Sequence, residues 1–122
     1  MLSIVDDDES VRESTKALVS SLGYAARTFP SAEEFLRSNL DETSCLILDV
    51  QMKGLSGIEL QERLISADRP IPIIFITAVL DEQISNQVLE AGAIDILSKP
   101  FSEDRLASCL ISALKGSLST HD

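Results

Sequence analysis

Five short apolar runs, at residues 2–5, 25–29, 45–48, 73–76 and 94–97, recur along the chain, each followed by a longer amphipathic stretch. The runs have the length and the aliphatic content of strands, whereas the stretches after them space apolar residues three and four apart, as a helix with one buried face does. Strands that alternate strictly with helices pair in parallel, because a parallel neighbour needs a crossover, and the crossovers lay helices on both faces of the sheet. The predicted class is therefore α/β, with five strands and five helices. A chain of 122 residues, 44% of them hydrophobic, holds one such sheet in one domain.

Helix boundaries follow from punctuation. Val11, Leu18 and Leu22 share a face of a helix predicted over 9–22, stopped by Gly23. "SAEE" at 31–34 and "SGIE" at 56–59 both have the spacing of a capping box, with Phe35 placed as a hydrophobic staple after Pro30 and with Leu60, Leu64 and Ile65 following the second box. Ile84, Val88 and Leu89 mark a fourth helix ended by Gly92, and a fifth from Ser102 carries Leu106, Cys109, Leu110, Ala113 and Leu114 on its core face. Residues 1–116 make up the expected domain, and 117–122 a tail or the start of a linker. Runs 2–5, 45–48 and 73–76 are continuous in apolar residues and belong at the centre of the sheet, whereas Arg27, Thr28 and Asp95 mark edges.

Charge and composition exclude several functions. With 20 acidic against 10 basic residues and a net charge of −10, the domain repels a nucleic-acid backbone, so direct nucleic-acid binding is not expected. No apolar stretch reaches the length of a bilayer span, and "MLSIVDDDES" has acids where a signal peptide has positive charge, so no membrane role and a cytoplasmic location are expected. Cys45 and Cys109 lie in apolar patterns and the one histidine, His121, sits in the tail, which suits neither a disulfide framework, a zinc site nor a Cys–His pair.

Ligands of open α/β sheets sit beyond the carboxyl ends of the strands, where the strand order reverses. The residues at those ends are Asp6, Asp7 and Asp8; Asp49; Thr77 and Ala78; and Ser98, Lys99 and Pro100. Taken singly, an aspartate or threonine there is a helix cap or turn former and a lysine is solvated. Taken together, Asp6, Asp7 and Asp49 repel one another unless a cation or raised pKa values relieve the charge. An all-oxygen set with room for water suits Mg²⁺ and not zinc. A carboxylate, a hydroxyl, an ammonium and Mg²⁺ suggest phosphoryl transfer onto Asp49, with Lys99 neutralising the phosphoryl oxygens, Thr77 donating a hydrogen bond and small Ala78 leaving the approach open.

These residues resemble the response regulator receiver domain of two-component signalling. The resemblance spans roughly residues 2–115 and is carried by "VDDDESVR", "FPSAEEFL", "LILDVQMKGLSG", "FITA" and "EAGAIDILSKPF"; the second and last of these look most like the FixJ branch of transcription regulators. It implies a flavodoxin-like (βα)5 sandwich of strand order 2-1-3-4-5. It further implies that Asp49 takes phosphate from a sensor histidine kinase, that Asp6, Asp7, Asp49 and the backbone carbonyl of Gln51 arrange Mg²⁺, and that Thr77, Ala78 and Lys99 bind the phosphate and set the switch. A cis bond before Pro100 is implied as well. So is a face of helix 4, strand 5 and helix 5 that meets a second receiver in a homodimer, or an attached output domain through which DNA is reached. Two positions depart from the family pattern: Lys53 follows Met52 where a proline is usual, and Ile96 stands where many receivers carry a tyrosine or phenylalanine. A docking module that is never phosphorylated is one alternative. A haloacid dehalogenase-type phosphatase is another, although it places a second acid where this chain has Gln51 and uses a cap domain for which the chain has no room.

Overall fold

The computed structural model describes residues 1–118. Five parallel strands, β1 (Leu2–Val5), β2 (Ala26–Phe29), β3 (Cys45–Asp49), β4 (Ile73–Thr77) and β5 (Asp95–Ser98), form one sheet in the order β2-β1-β3-β4-β5. Five helices join them: α1 (Glu9–Ser21), α2 (Ala32–Leu36), α3 (Gly57–Ser66), α4 (Glu82–Glu90) and α5 (Glu103–Leu118), with a single 3-10 turn at Leu40–Glu42. The three apolar runs are central and fully buried, while β2 is half-buried along its length and β5 begins at half-buried Asp95.

Alternation along the strands divides the core in two. Leu2, Ile4, Cys45, Ile47, Ile74, Ile76 and Leu97 face Val19 of α1 and Leu106, Cys109 and Leu110 of α5. Val5, Leu46, Leu48, Ile73, Phe75 and Ile96 face Phe35 of α2, Leu60 and Leu64 of α3 and Val88 of α4. Ser3 and Thr43, buried among the strands, satisfy each other with a hydroxyl–hydroxyl bond of 2.7 Å. Both faces of the central strands are thus sealed, and the strand ends are the part of the sheet left for chemistry.

One local expectation needs correcting, and others are refined. Ser31 caps α2 by accepting from the Glu34 amide, but the reciprocal half of the box is absent among the described residues, and the helix closes after five residues. Phe35 is fully buried and packs edge-on to Phe29 with ring centroids 5.5 Å apart, whereas Pro30 is exposed. Ile65 and Leu89, which mark the helical period in the sequence, are 56% and 40% exposed, each at the margin of its helix's apolar stripe. Helix α5 runs to Leu118, and residues 119–122 of the expected tail lie outside the described residues.

Candidate functional site

The order of the sheet reverses between β1 and β3, and the residues that end those two strands stand side by side there. Asp6 follows β1 and Asp49 closes β3; both carboxylates are buried, while that of Asp7 is exposed. One oxygen from each of Asp6, Asp7 and Asp49 lies within 4.8 Å of the others. Asp8 does something different. Its carboxylate accepts from the amides of Ser10 and Val11 and caps α1, as a lone aspartate after a strand does.

Each buried acid is held by named partners. The Asp8 amide donates to Asp6 Oδ1 at 2.9 Å, and Arg12 donates to the Asp6 carbonyl at 2.8 Å. Lys99 reaches across from the end of β5, its Nζ 3.3 Å from Asp6 Oδ2 and 3.8 Å from Asp49 Oδ1. The lysine is aimed by its own backbone, whose amide donates to the Thr77 carbonyl at 2.8 Å, and the bond to Pro100 that follows is cis. Burial pushes the Asp49 carboxyl up to about 6 and the charge of Asp6 pushes the same way, against Lys99 and the Gln51 amide, which favour the carboxylate. At neutral pH Asp49 is an anion that water stabilises poorly.

Thr77, at the end of β4, is buried, and its hydroxyl donates to the Val79 carbonyl at 2.9 Å while accepting from the Val79 amide. It is thereby folded onto its own loop, beside exposed Ala78. Ile96 is 7% exposed and packs in the core against the α2–α4 layer, an aliphatic side chain with no ring to turn. Gln51 is exposed one residue beyond Val50.

The donor set fits a hard divalent cation. Three carboxylates converge from two strand ends and no imidazole or thiolate is among them; burial first, and the Asp6 charge second, raise the pKa of Asp49, and a cation between the carboxylates would offset both. Two further residues shape the site without announcing themselves in the sequence. Gly57, first residue of α3, lies so close to the Asp49 backbone that a Cβ there would fall 2.1 Å from the Asp49 carbonyl oxygen. Glu33 of α2 accepts from the Leu55 amide at 3.0 Å and so touches the loop after Asp49 from outside.

A five-stranded parallel sheet in this order is the flavodoxin-like fold, here with paired acids at its switch point and a lysine opposite. Residues 2–111 match the family model of the response regulator receiver domain, and the chain belongs to that family. It is 42% identical over 111 residues to nodulation protein W of Bradyrhizobium diazoefficiens, a match covering 90% of this chain and 49% of that one. Among solved structures, the response regulator StyR superimposes with a TM-score of 0.89 at 40% identity, covering 98% of this chain and 61% of that one. FixJ-N superimposes with a TM-score of 0.86 at 33% identity, covering 93% and 92%. The chain spans about half the length of the curated relatives it matches. Among the described residues no helix is long and apolar enough to cross a membrane.

Proposed function

We propose that this receiver domain is switched by phosphorylation of Asp49, with a sensor histidine kinase as the donor. An Asp49 oxygen attacks phosphorus, the new P–O bond forms as the P–N bond to the donor imidazole breaks, and the imidazole leaves with the bonding pair. Asp49 is ready for this because its pKa of about 6 leaves it ionised at neutral pH yet more basic than an ordinary aspartate. Lys99, already within 4 Å of Asp49, meets the charge of the arriving phosphoryl oxygens. Asp6, Asp7, Asp49 and the backbone carbonyl of Gln51 would hold Mg²⁺, which when bound supplies positive charge to the same oxygens.

The switch itself is carried by Thr77. Its hydroxyl leaves Val79 to hydrogen-bond the phosphoryl group, and the β4–α4 loop, where Val79 is 75% and Leu80 56% exposed, rearranges with it. Ile96 gives this motion no aromatic partner. The face of α4, β5 and α5 beside that loop is where a second receiver or an output domain reads the change. Relatives about twice as long are named transcriptional regulatory proteins, which supports a DNA-binding output domain as effector and transcription as the regulated process. Residues 1–116 form the switching unit, and it acts in the cytoplasm, on itself and on partners, with no turnover of a separate substrate.

The observation that carries the reading is the convergence of Asp6, Asp7 and Asp49 with Lys99 spanning two of them. Incubation with Mg²⁺ and acetyl phosphate, followed by intact mass measurement, tests it. Wild type gains one phosphoryl group and Asp49→Asn gains none; an unmodified wild type, under conditions that label another receiver, would sink the assignment.

A further inference from the structure

The loop from β3 to α3 carries Lys53 where the family pattern has proline, and three of its amides are held by carboxylates. Lys53 N donates to Asp7 Oδ2 at 3.1 Å, Leu55 N to Glu33 Oε2 at 3.0 Å and Ser56 N to Glu59 Oε1 at 3.0 Å. Only the last of these is a local capping-box bond. The other two reach the loop from β1's end and from α2, on either side of Gly54, whose φ of +74° suits a glycine. A Cβ on Gly54 would lie 2.7 Å from Glu33 Oε2, so the carboxylate rests directly on the glycine. Its own backbone amide, and after it the amide of Leu55, hold the Glu33 carboxyl below its ordinary range, as expected where such bonds favour the charged form.

A proline at position 53 has no N–H and could not make the bond to Asp7. Asp7 is the exposed member of the acidic trio, with no other side-chain or backbone partner among the described hydrogen bonds, so the Lys53 amide is what fixes its carboxylate. The amide in turn stays in place because Glu33 holds the loop two residues later. We propose that Glu33 and the backbone N–H of residue 53 form a clasp that positions Asp7 for the cation, making both of them positioning groups of the site. This role rests on the assignment of Mg²⁺ to Asp6, Asp7 and Asp49. Groups that orient a metal ligand in this way are commonly worth 10- to 100-fold in affinity, and for an exposed clasp the low end, about tenfold, applies.

Four variants separate the hydrogen bonds from the charges, with Mg²⁺ affinity read by amide chemical shifts during titration. Lys53→Pro removes the N–H together with a positive charge, whereas Lys53→Gln removes the charge alone. Loss of a cation by itself tightens Mg²⁺ binding, so Lys53→Gln binds at least as tightly as wild type while Lys53→Pro binds about tenfold more weakly. Glu33→Ala and Glu33→Gln lose the same charge, but glutamine keeps an oxygen for Leu55; the Ala variant weakens binding by about tenfold and the Gln variant recovers most of that. Hydrogen exchange at Lys53 and Leu55 quickens together in Glu33→Ala, while amides of the central strands keep their protection. Equal affinities for Ala and Gln at position 33, or for Pro and Gln at position 53, overturn the clasp while leaving the site. A wild type that does not bind Mg²⁺ overturns the site reading and the clasp with it.

Discussion

Neutralising Asp49 should make this domain more stable, and by an amount that depends on pH in a set way. The carboxyl is buried at the end of β3, next to Asp6, and its pKa rises from 3.8 to about 6. A raised pKa means that the native state binds the proton more tightly than the unfolded chain. The associated stability is fully present below pH 3.8 and is lost as pH climbs through 6. At 1.36 kcal/mol per pKa unit, ionising Asp49 costs the fold ~3 kcal/mol by pH 7.5. Asparagine has nearly the shape of the protonated acid and never ionises, so Asp49→Asn recovers ~2–3 kcal/mol at pH 7.5, a rise of roughly 10 °C in midpoint. At pH 4 the two proteins should differ little. Urea or thermal unfolding in EDTA across pH 4–8 measures this, and addition of Mg²⁺ at pH 7.5 should stabilise wild type more than the variant. A variant no more stable than wild type at pH 7.5, or an advantage undiminished at pH 4, would refute the account of Asp49 as an electrostatically strained anion.

Two further outcomes follow from packing. Gly57→Ala at a helix start would ordinarily gain up to about 1 kcal/mol from helix propensity; here the new Cβ meets the Asp49 carbonyl at 2.1 Å, backbone that must move, so the variant loses ~1–3 kcal/mol in urea unfolding and is labelled more slowly by acetyl phosphate. A gain in stability would show that α3 does not lie against Asp49. Burial pushes the thiol of Cys45 up to about 12, and burial with the nearby Asp95 charge pushes that of Cys109 up to about 11, so neither reacts with a maleimide or disulfide reagent at pH 8 until the protein unfolds, when two thiols appear.

The division into central and edge strands and the acid trio were legible because both depend on short-range signals, whereas the full strand order came from the family resemblance. A strand buried on both faces must be apolar throughout, so runs 45–48 and 73–76 identify themselves as central, and a parallel sheet then collects its strand ends at one edge. Asp6, Asp7, Asp49, Thr77 and Lys99 needed only their place at those ends. Helix faces were read less well. Ile65 and Leu89 fit the helical period, yet each lies at the rim of its stripe, and periodicity over nine or ten residues does not separate rim from centre. Gly57 and Glu33 carried no signal of their function. One matters through its missing Cβ against a distant carbonyl, the other through an amide 22 residues away, and neither distance exists until the chain is folded.

Lys53 shows why a departure from a family pattern is hard to weigh from side chains alone. Exchanging proline for lysine surrenders the restriction that proline places on the unfolded chain, worth about 0.4–1 kcal/mol where the native backbone allows it. It also gains an amide donor to the Asp7 carboxylate, 3.1 Å away at an exposed position. A hydrogen bond in such a setting contributes about 0.5–1.5 kcal/mol. The two effects nearly cancel in folding stability, so unfolding experiments would report the exchange as silent. They do not cancel in orientation: proline would stiffen the loop and leave Asp7 free, whereas the amide ties Asp7 to a loop that Glu33 keeps in register. The consequence of Lys53 therefore lies in the geometry of one carboxylate, and cation affinity reads it where stability does not.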